Sequence, residues 1–177
     1  MRMFLGLTLP RDIRARLVGL CSGMPGACWV PPENLHLTLR FIGEVEEETV
    51  REVTAYVSRT RHAPFDLTCK GVGCFGSRHK IRSLWVGVKP SSPLMVLQKK
   101  IETLLQRAGL APERRNFTPH ITLARFKSGA RVRLGSYLSG NALITAGPFI
   151  VDGVVLFSSC LGATGATYRI EEVFPLA

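Results

Sequence analysis

The sequence predicts an α+β fold of two pseudo-symmetric lobes, each a mostly antiparallel sheet with outer helices, and an active-site groove between them. Three observations carry this. One short phrase occurs twice, as His36-Leu37-Thr38-Leu39 and as His120-Ile121-Thr122-Leu123. Both copies alternate apolar and other residues between turn formers, the pattern of a strand. The elements run strand, helix, His strand, helix, strand, strand, helix, His strand, strand, strand, so a strand and a helix precede each copy.

Residues 4–9 form a short apolar run that Pro10 ends, and Pro10 opens a helix. Ile13, Leu17 and Leu20 fall at helical spacing, with Arg11, Arg14 and Arg16 on the wet side. A Gly/Pro-rich loop, 23–32, leads to the first His strand, 34–41, which Gly43 stops. Glu44, Glu46, Glu47 and Glu48 suit a helix N-terminus, and Val50, Val53 and Val57 make its apolar stripe. Residues 65–70 alternate as a strand, 71–76 read as a glycine-punctuated turn, 77–82 as a basic loop containing Arg78 and His79, and 84–88 as a buried strand. Ser92 caps and Pro93 opens the next helix, whose stripe is Leu94, Leu97, Ile101, Leu104 and Leu105 and whose end is Gly109. Arg114 and Arg115 precede the second His strand, 117–126; Lys127, Arg131 and Arg133 follow it. Residues 149–158 and 167–174 are the last strands, joined by a glycine-rich turn at 160–166. No sharp linker divides the halves, so 1–177 is expected to be one bilobal domain.

The composition narrows the class. A 46% hydrophobic and 20% charged chain is globular, not disordered. The net charge of +10 favours polyanions, nucleic acid first among them. Cys21, Cys28, Cys69, Cys74 and Cys160 are odd in number and show no C-x-x-C spacing. With no secretory signal at the start, they read as reduced thiols of a cytoplasmic protein. No apolar run is long enough for a membrane span, and a monomer is the default expectation.

On a strand, residues two apart share a face. His36 and Thr38 therefore share one face, and Leu35, Leu37, Leu39 and Phe41 the other; His120 and Thr122 repeat the arrangement. With 12 Thr and 22 Leu in 177 residues, a second His-x-Thr-Leu arises by chance in roughly two or three per cent of such chains. Two facing imidazoles, with ordinary pKa values near 6.5, run acid–base catalysis near neutrality: one takes a proton from a nucleophile, the other gives one to the leaving oxygen. Two threonine hydroxyls on the same face hold the non-bridging oxygens of a phosphate. The constellation suits metal-free phosphodiester cleavage, and a 2′,3′-cyclic phosphate fits it well. His62 and His79 lie outside any ligand spacing, so neither a metal nor another cofactor is expected. Arg40 shares the His36 face and either touches phosphate or ends its strand in solvent. Phe75 either stacks on a terminal base or packs on the sheet as a turn residue.

The two H-x-T-x strands resemble those of the 2H phosphoesterase superfamily. Their contexts at 34–43 and 117–125, with the stretches 4–10, 73–85 and 168–176, are most similar to RNA 2′,3′-cyclic phosphodiesterases, historically called 2′-5′ RNA ligases. The resemblance implies that His36 is the proton donor to the leaving 3′ oxygen and His120 the proton acceptor from water. It implies that Thr38 and Thr122 bind the phosphate, that Arg125 assists, and that RNA with a 2′,3′-cyclic phosphate end becomes RNA with a 2′-phosphate. Strict alternation points Arg125 away from His120, so its role requires a twist or bulge at the strand end. Reverse 2′-5′ ligation, hydrolysis of small cyclic nucleotide phosphates, and non-catalytic binding of RNA ends are the competing readings.

Overall fold

The computed structural model describes residues 1–77, 80–127, 133–162 and 165–177; Arg78, His79 and Arg131 lie outside the described residues. In chain order the elements are β1 (Arg2–Thr8), α1 (Arg11–Val18), β2 (Ala27–Trp29), a 3-10 turn (Pro32–Asn34), β3 (His36–Glu44), α2 (Glu47–Val57), β4 (Phe65–Ser77), β5 (Lys80–Val88), α3 (Ser92–Arg107), β6 (His120–Phe126), α4 (Gly135–Gly140), β7 (Thr145–Val151), β8 (Gly153–Gly162) and β9 (Gly165–Pro175).

The fold is α+β, and the two lobes share one antiparallel sheet of order β7-β4-β5-β6-β3-β1-β8-β9, with β2 added to β6. One lobe is β9, β8, β1 and β3; the other is β6, β5, β4 and β7. Each has its His strand at the seam, where β3 and β6 are joined through the pair Leu37↔Ile121. The helices pack behind. Ile13 and Leu17 of α1, Val53 and Val57 of α2, and Leu94, Leu97, Ile101 and Leu105 of α3 form one core with Leu37, Leu39, Ile121 and Leu123. A smaller cluster under α4 joins Leu134 to Ile81, Leu84, Ala124 and Phe126.

The structure corrects the local expectations in several places: 27–29 of the expected loop form β2, 80–82 of the expected basic loop open β5, and α4 was not expected. Residues 71–76 are not a turn. They continue β4, with a bulge at Gly71, whose φ of 68° suits glycine. The strand expected at 149–158 is two strands parted at Asp152: β7 lies on the far edge of one lobe, and β8 crosses to the other lobe beside β1. The α3 cap is Ser91, whose hydroxyl accepts from the Leu94 amide, so Ser92 is the first helical residue. Gly109 ends that helix as expected, at φ 85°.

Candidate active site

His36 and His120 open β3 and β6 at the seam, and their apolar neighbours are fully buried behind them: Leu37 and Ile121 are 0% exposed. Antiparallel register about Leu37↔Ile121 sets His36 across from Thr122 and Thr38 across from His120. All four line one groove of about 460 Å³, the size of a nucleotide site.

Each ring is aimed in the same way. His36 Nδ1 donates to the Asn34 carbonyl and His120 Nδ1 to the Thr118 carbonyl, both at 2.6 Å and both two residues back. A carbonyl only accepts, so Nδ1 carries the proton and Nε2 is the reactive nitrogen of each neutral ring. Thr38 Oγ1 lies 3.0 Å from His36 Nε2 and donates to it in that state. The Asn34 side chain donates to the Ala166 carbonyl at 2.8 Å and pins the β8–β9 hairpin beside His36.

Both imidazoles have lowered pKa values. Burial is the main cause and pushes His36 down to about 4; the Arg125 and His120 charges push the same way, against the bond to Asn34. Burial also lowers His120, as does Arg125, against the bond to Thr118. Arg125 faces both rings because β6 bulges at Leu123: Trp85 pairs with Thr122, and Leu84 with Ala124. That step reverses the alternation and turns Arg125 into the groove.

Arg40 is used differently. β3 bulges at Leu39, since Gly6 pairs with Thr38 and Leu5 with Arg40. Arg40 still lines the groove with His36, but its guanidinium is committed to α3 and nearby carbonyls. Its Nε donates to Glu102 of α3 at 2.7 Å, and its other donors go to the carbonyls of Phe41 and Ala111 (2.6 Å for Ala111). The same bulge puts Phe41, expected on the apolar back, on the groove lip with 44% of its surface exposed.

Aromatic side chains flank both rings. Phe4, Phe157 and Tyr168 surround His36 at centroid distances of 4.7, 5.7 and 5.1 Å, Tyr168 edge-on. Phe75 stands edge-on to His120 at 4.7 Å, and Trp85 is 6.0 Å away. The Gly71 bulge is what turns Phe75 forward, away from the core side that Phe65, Leu67 and Cys69 occupy. Two glycines make close approaches: a Cβ at Gly6 would meet the Leu37 carbonyl at 2.8 Å, and a Cβ at Gly73 would run into the Trp85 indole.

The sequence missed Phe41, Tyr168, Arg82 and Arg115 as groove residues. For Phe41 no signal was available, because alternation pointed the wrong way. Among the described residues no carboxylate pairs with Arg82 or Arg125, whereas Glu113 holds Arg115. Among the described residues no cluster of three or more His, Cys, Asp or Glu is placed to hold a metal, and no helix is long and apolar enough to cross a membrane.

Comparison with known proteins agrees from end to end. The family model described as LigT like phosphoesterase matches twice, over residues 7–85 and 86–168, one His strand in each match. A protein of Aquifex aeolicus named RNA 2′,3′-cyclic phosphodiesterase is 34% identical over 84% of this chain and 81% of its own. One of the same name from Thermus thermophilus is 33% identical over 99% of this chain and 90% of its own. Among solved structures, a Thermus thermophilus protein superposes with a TM-score of 0.82 at 28% identity, covering 99% of this chain and 98% of that one. E. coli LigT complexed with 3′-AMP superposes with a TM-score of 0.79 at 26% identity, covering 99% and 97%.

Proposed function

The chain belongs to the LigT like phosphoesterase family, and from that premise we propose that it hydrolyses RNA 2′,3′-cyclic phosphate ends to 2′-phosphomonoesters by acid–base catalysis without a metal. One observation carries this reading: two imidazoles with Nε2 as the reactive atom share a groove, each across from the other strand's threonine.

The cyclic phosphate lies between the rings. His120 Nε2 takes a proton from water, and the oxygen attacks phosphorus in line with O3′. His36 Nε2 gives its proton to O3′ as the P–O3′ bond breaks, and the phosphate stays on O2′. Thr38 and Thr122 donate to the non-bridging oxygens, and Arg125 neutralises the charge that builds there. The division of roles follows the order of the two motifs in the family. Arg40 lines the groove with its Nε held by Glu102, and in this reading it positions β3 against α3. Near neutrality the free protein keeps His36 unprotonated. The phosphate anion must supply what the site lacks, since a negative charge between the rings favours imidazolium.

Phe41 and Tyr168, on the His36 side, offer faces for the base of the terminal nucleotide, and Arg82 and Arg115 attract the phosphates behind it. This favours an RNA end over a small cyclic nucleotide. The decisive experiment incubates the protein in chelator with RNA bearing a 2′,3′-cyclic end and identifies the product. The expected result is a 2′-phosphate; a 3′-phosphate, or turnover that only added metal restores, overturns the reading. A cyclic mononucleotide turned over as efficiently as the RNA removes the polymer preference.

A further inference from the structure

We propose that Asn34 is a positioning residue of the reaction: its side chain holds the start of β9, and with it Tyr168, against His36. The inference rests on the hydrolase reading, which makes His36 the acid and Tyr168 a face for the terminal base. Strand pairing alone does not bring β9 to His36. Tyr168 pairs with Ser159 and Ser159 with Arg2, whereas His36 pairs with Thr8 at the other end of β1. From Arg2 to Thr8 is about 20 Å of extended strand. The Tyr168 and His36 rings are nevertheless 5.1 Å apart, so the start of β9 curls forward over the groove. A bulge helps it bend: Phe157 pairs with Ile170 but Leu156 with Glu172, which leaves Glu171 over.

Little else holds that curl. β9 is an edge strand, Gly165 and Thr167 are exposed, and Leu161, across from Ala166, is 75% exposed. Among the described residues, one hydrogen bond reaches 165–170 from outside β8: Asn34 Nδ2 donates to the Ala166 carbonyl at 2.8 Å, across 132 positions of the chain. Asn34 is itself fixed. It closes the 3-10 turn, its backbone N–H donates to the Pro31 carbonyl at 2.9 Å, and only 8% of its surface is exposed. A buried side-chain amide is costly unless it is bonded, and this one finds its partner on β9.

The same residue also aims the acid, because its backbone carbonyl accepts from His36 Nδ1 at 2.6 Å. Asn34 thus holds the ring with its main chain and the strand that covers the ring with its side chain. Of the three aromatic neighbours of His36, Phe4 and Phe157 are fixed to each other by the β1–β8 ladder and by stacking. Tyr168 is the one whose place depends on the Asn34 clasp. Releasing it admits water to His36 and withdraws a face from the terminal base.

Asn34→Ala keeps the carbonyl and removes the clasp; Asn34→Asp keeps the size and sets an acceptor against a carbonyl. Two measurements need no substrate. Amide hydrogen exchange at 165–170 should quicken on the order of tenfold in both variants, with β1, β6 and α3 unchanged. His36, followed by NMR, should titrate closer to 6.5 in Asn34→Ala than in the wild type, because water reaches the ring; Arg125 and His120, whose charges also face it, stay in place. With RNA bearing a 2′,3′-cyclic end, Asn34→Ala should raise KM on the order of tenfold and move the kcat/KM optimum to higher pH. Tyr168→Ala should add little to it, since both changes remove one face. Exchange that quickens equally throughout the chain makes Asn34 a general stabiliser and overturns the proposal. So does exchange at 165–170, or a His36 titration, that Asn34→Ala leaves unmoved, and so do KM effects that simply multiply. A wild type that forms no 2′-phosphate removes the hydrolase reading and the role of Asn34 in it, while exchange and titration still decide whether Asn34 holds β9.

Discussion

β3 and β6 each bulge three residues past their histidine, at Leu39 and Leu123, and each so turns its fifth residue toward the groove. In β3 that residue is Phe41; in β6 it is Arg125. The backbone device is the same and the chemistry is not. One half of the molecule supplies an aromatic face, and the other supplies the cation that sits near both imidazoles. The rings differ as well. His36 is hemmed by Phe4, Phe157 and Tyr168 and is the ring burial pushes down to about 4. His120 is flanked by Phe75 and Trp85 on one lobe's open side. A duplicated scaffold has kept its symmetry in the reacting atoms and lost it in what surrounds them.

The sharpest way to break this comparison is to remove each histidine. His36→Ala and His120→Ala should each lower kcat by about 10²–10⁴-fold. A substrate whose 3′ oxygen is replaced by sulfur leaves without needing a proton. It should restore His36→Ala and not His120→Ala; equal rescue of both would deny the two strands different roles. Next come the fifth residues. Phe41→Ala should raise KM by about 5–150-fold with kcat nearly kept, the cost of one lost stacking face. Arg125→Gln should lower kcat and, by removing a positive neighbour that lowers both imidazoles, move the pH–rate profile to higher pH. A profile that stays in place would separate Arg125 from the rings. In the wild type, kcat/KM, which reports the free protein, should peak below pH 6.5, and kcat at higher pH, because bound phosphate raises both rings.

Two smaller effects concern stability. His36 has a folded pKa below its unfolded value, so the unfolded chain binds the proton more readily. The stabilisation is complete above about pH 6.5 and is lost as pH falls toward 4, on the order of 3 kcal/mol. Thermal unfolding of His36→Asn should show a weaker acid loss across that window than the wild type. Arg40→Ala should cost about 1–3 kcal/mol through Glu102 left unpaired, and should leave KM unchanged. A raised KM would return Arg40 to the substrate.

Much of the site was legible in the order of the residues. His36, Thr38, His120 and Thr122 stand before the bulges of their strands, where period-two alternation holds, and their placement on one face followed from sequence alone. The apolar backs Leu35, Leu37, Ile121 and Leu123 followed for the same reason. Phe41 and Arg125 lie beyond a bulge, and there alternation pointed each away from the groove it lines; Arg40, also beyond a bulge, lines the groove but spends its donors on Glu102 and two carbonyls. Arg125 was named only through the family resemblance, and its role there required a twist or bulge that alternation did not show. The glycines at 71–76 read as a turn because glycine permits one. A bulge at Gly71, and room for the Trp85 indole at Gly73, use the same freedom.

The sequence by itself determined the class of fold, the repeated motif and the chemistry that two imidazoles and two hydroxyls can perform. Those properties depend on residue type and local spacing. Only the tertiary structure decided which residues after the histidines face the substrate, and that residues 149–158 part at Asp152 between two lobes. A strand's register is set by its partners, and one extra residue in the pairing moves every later side chain to the other face.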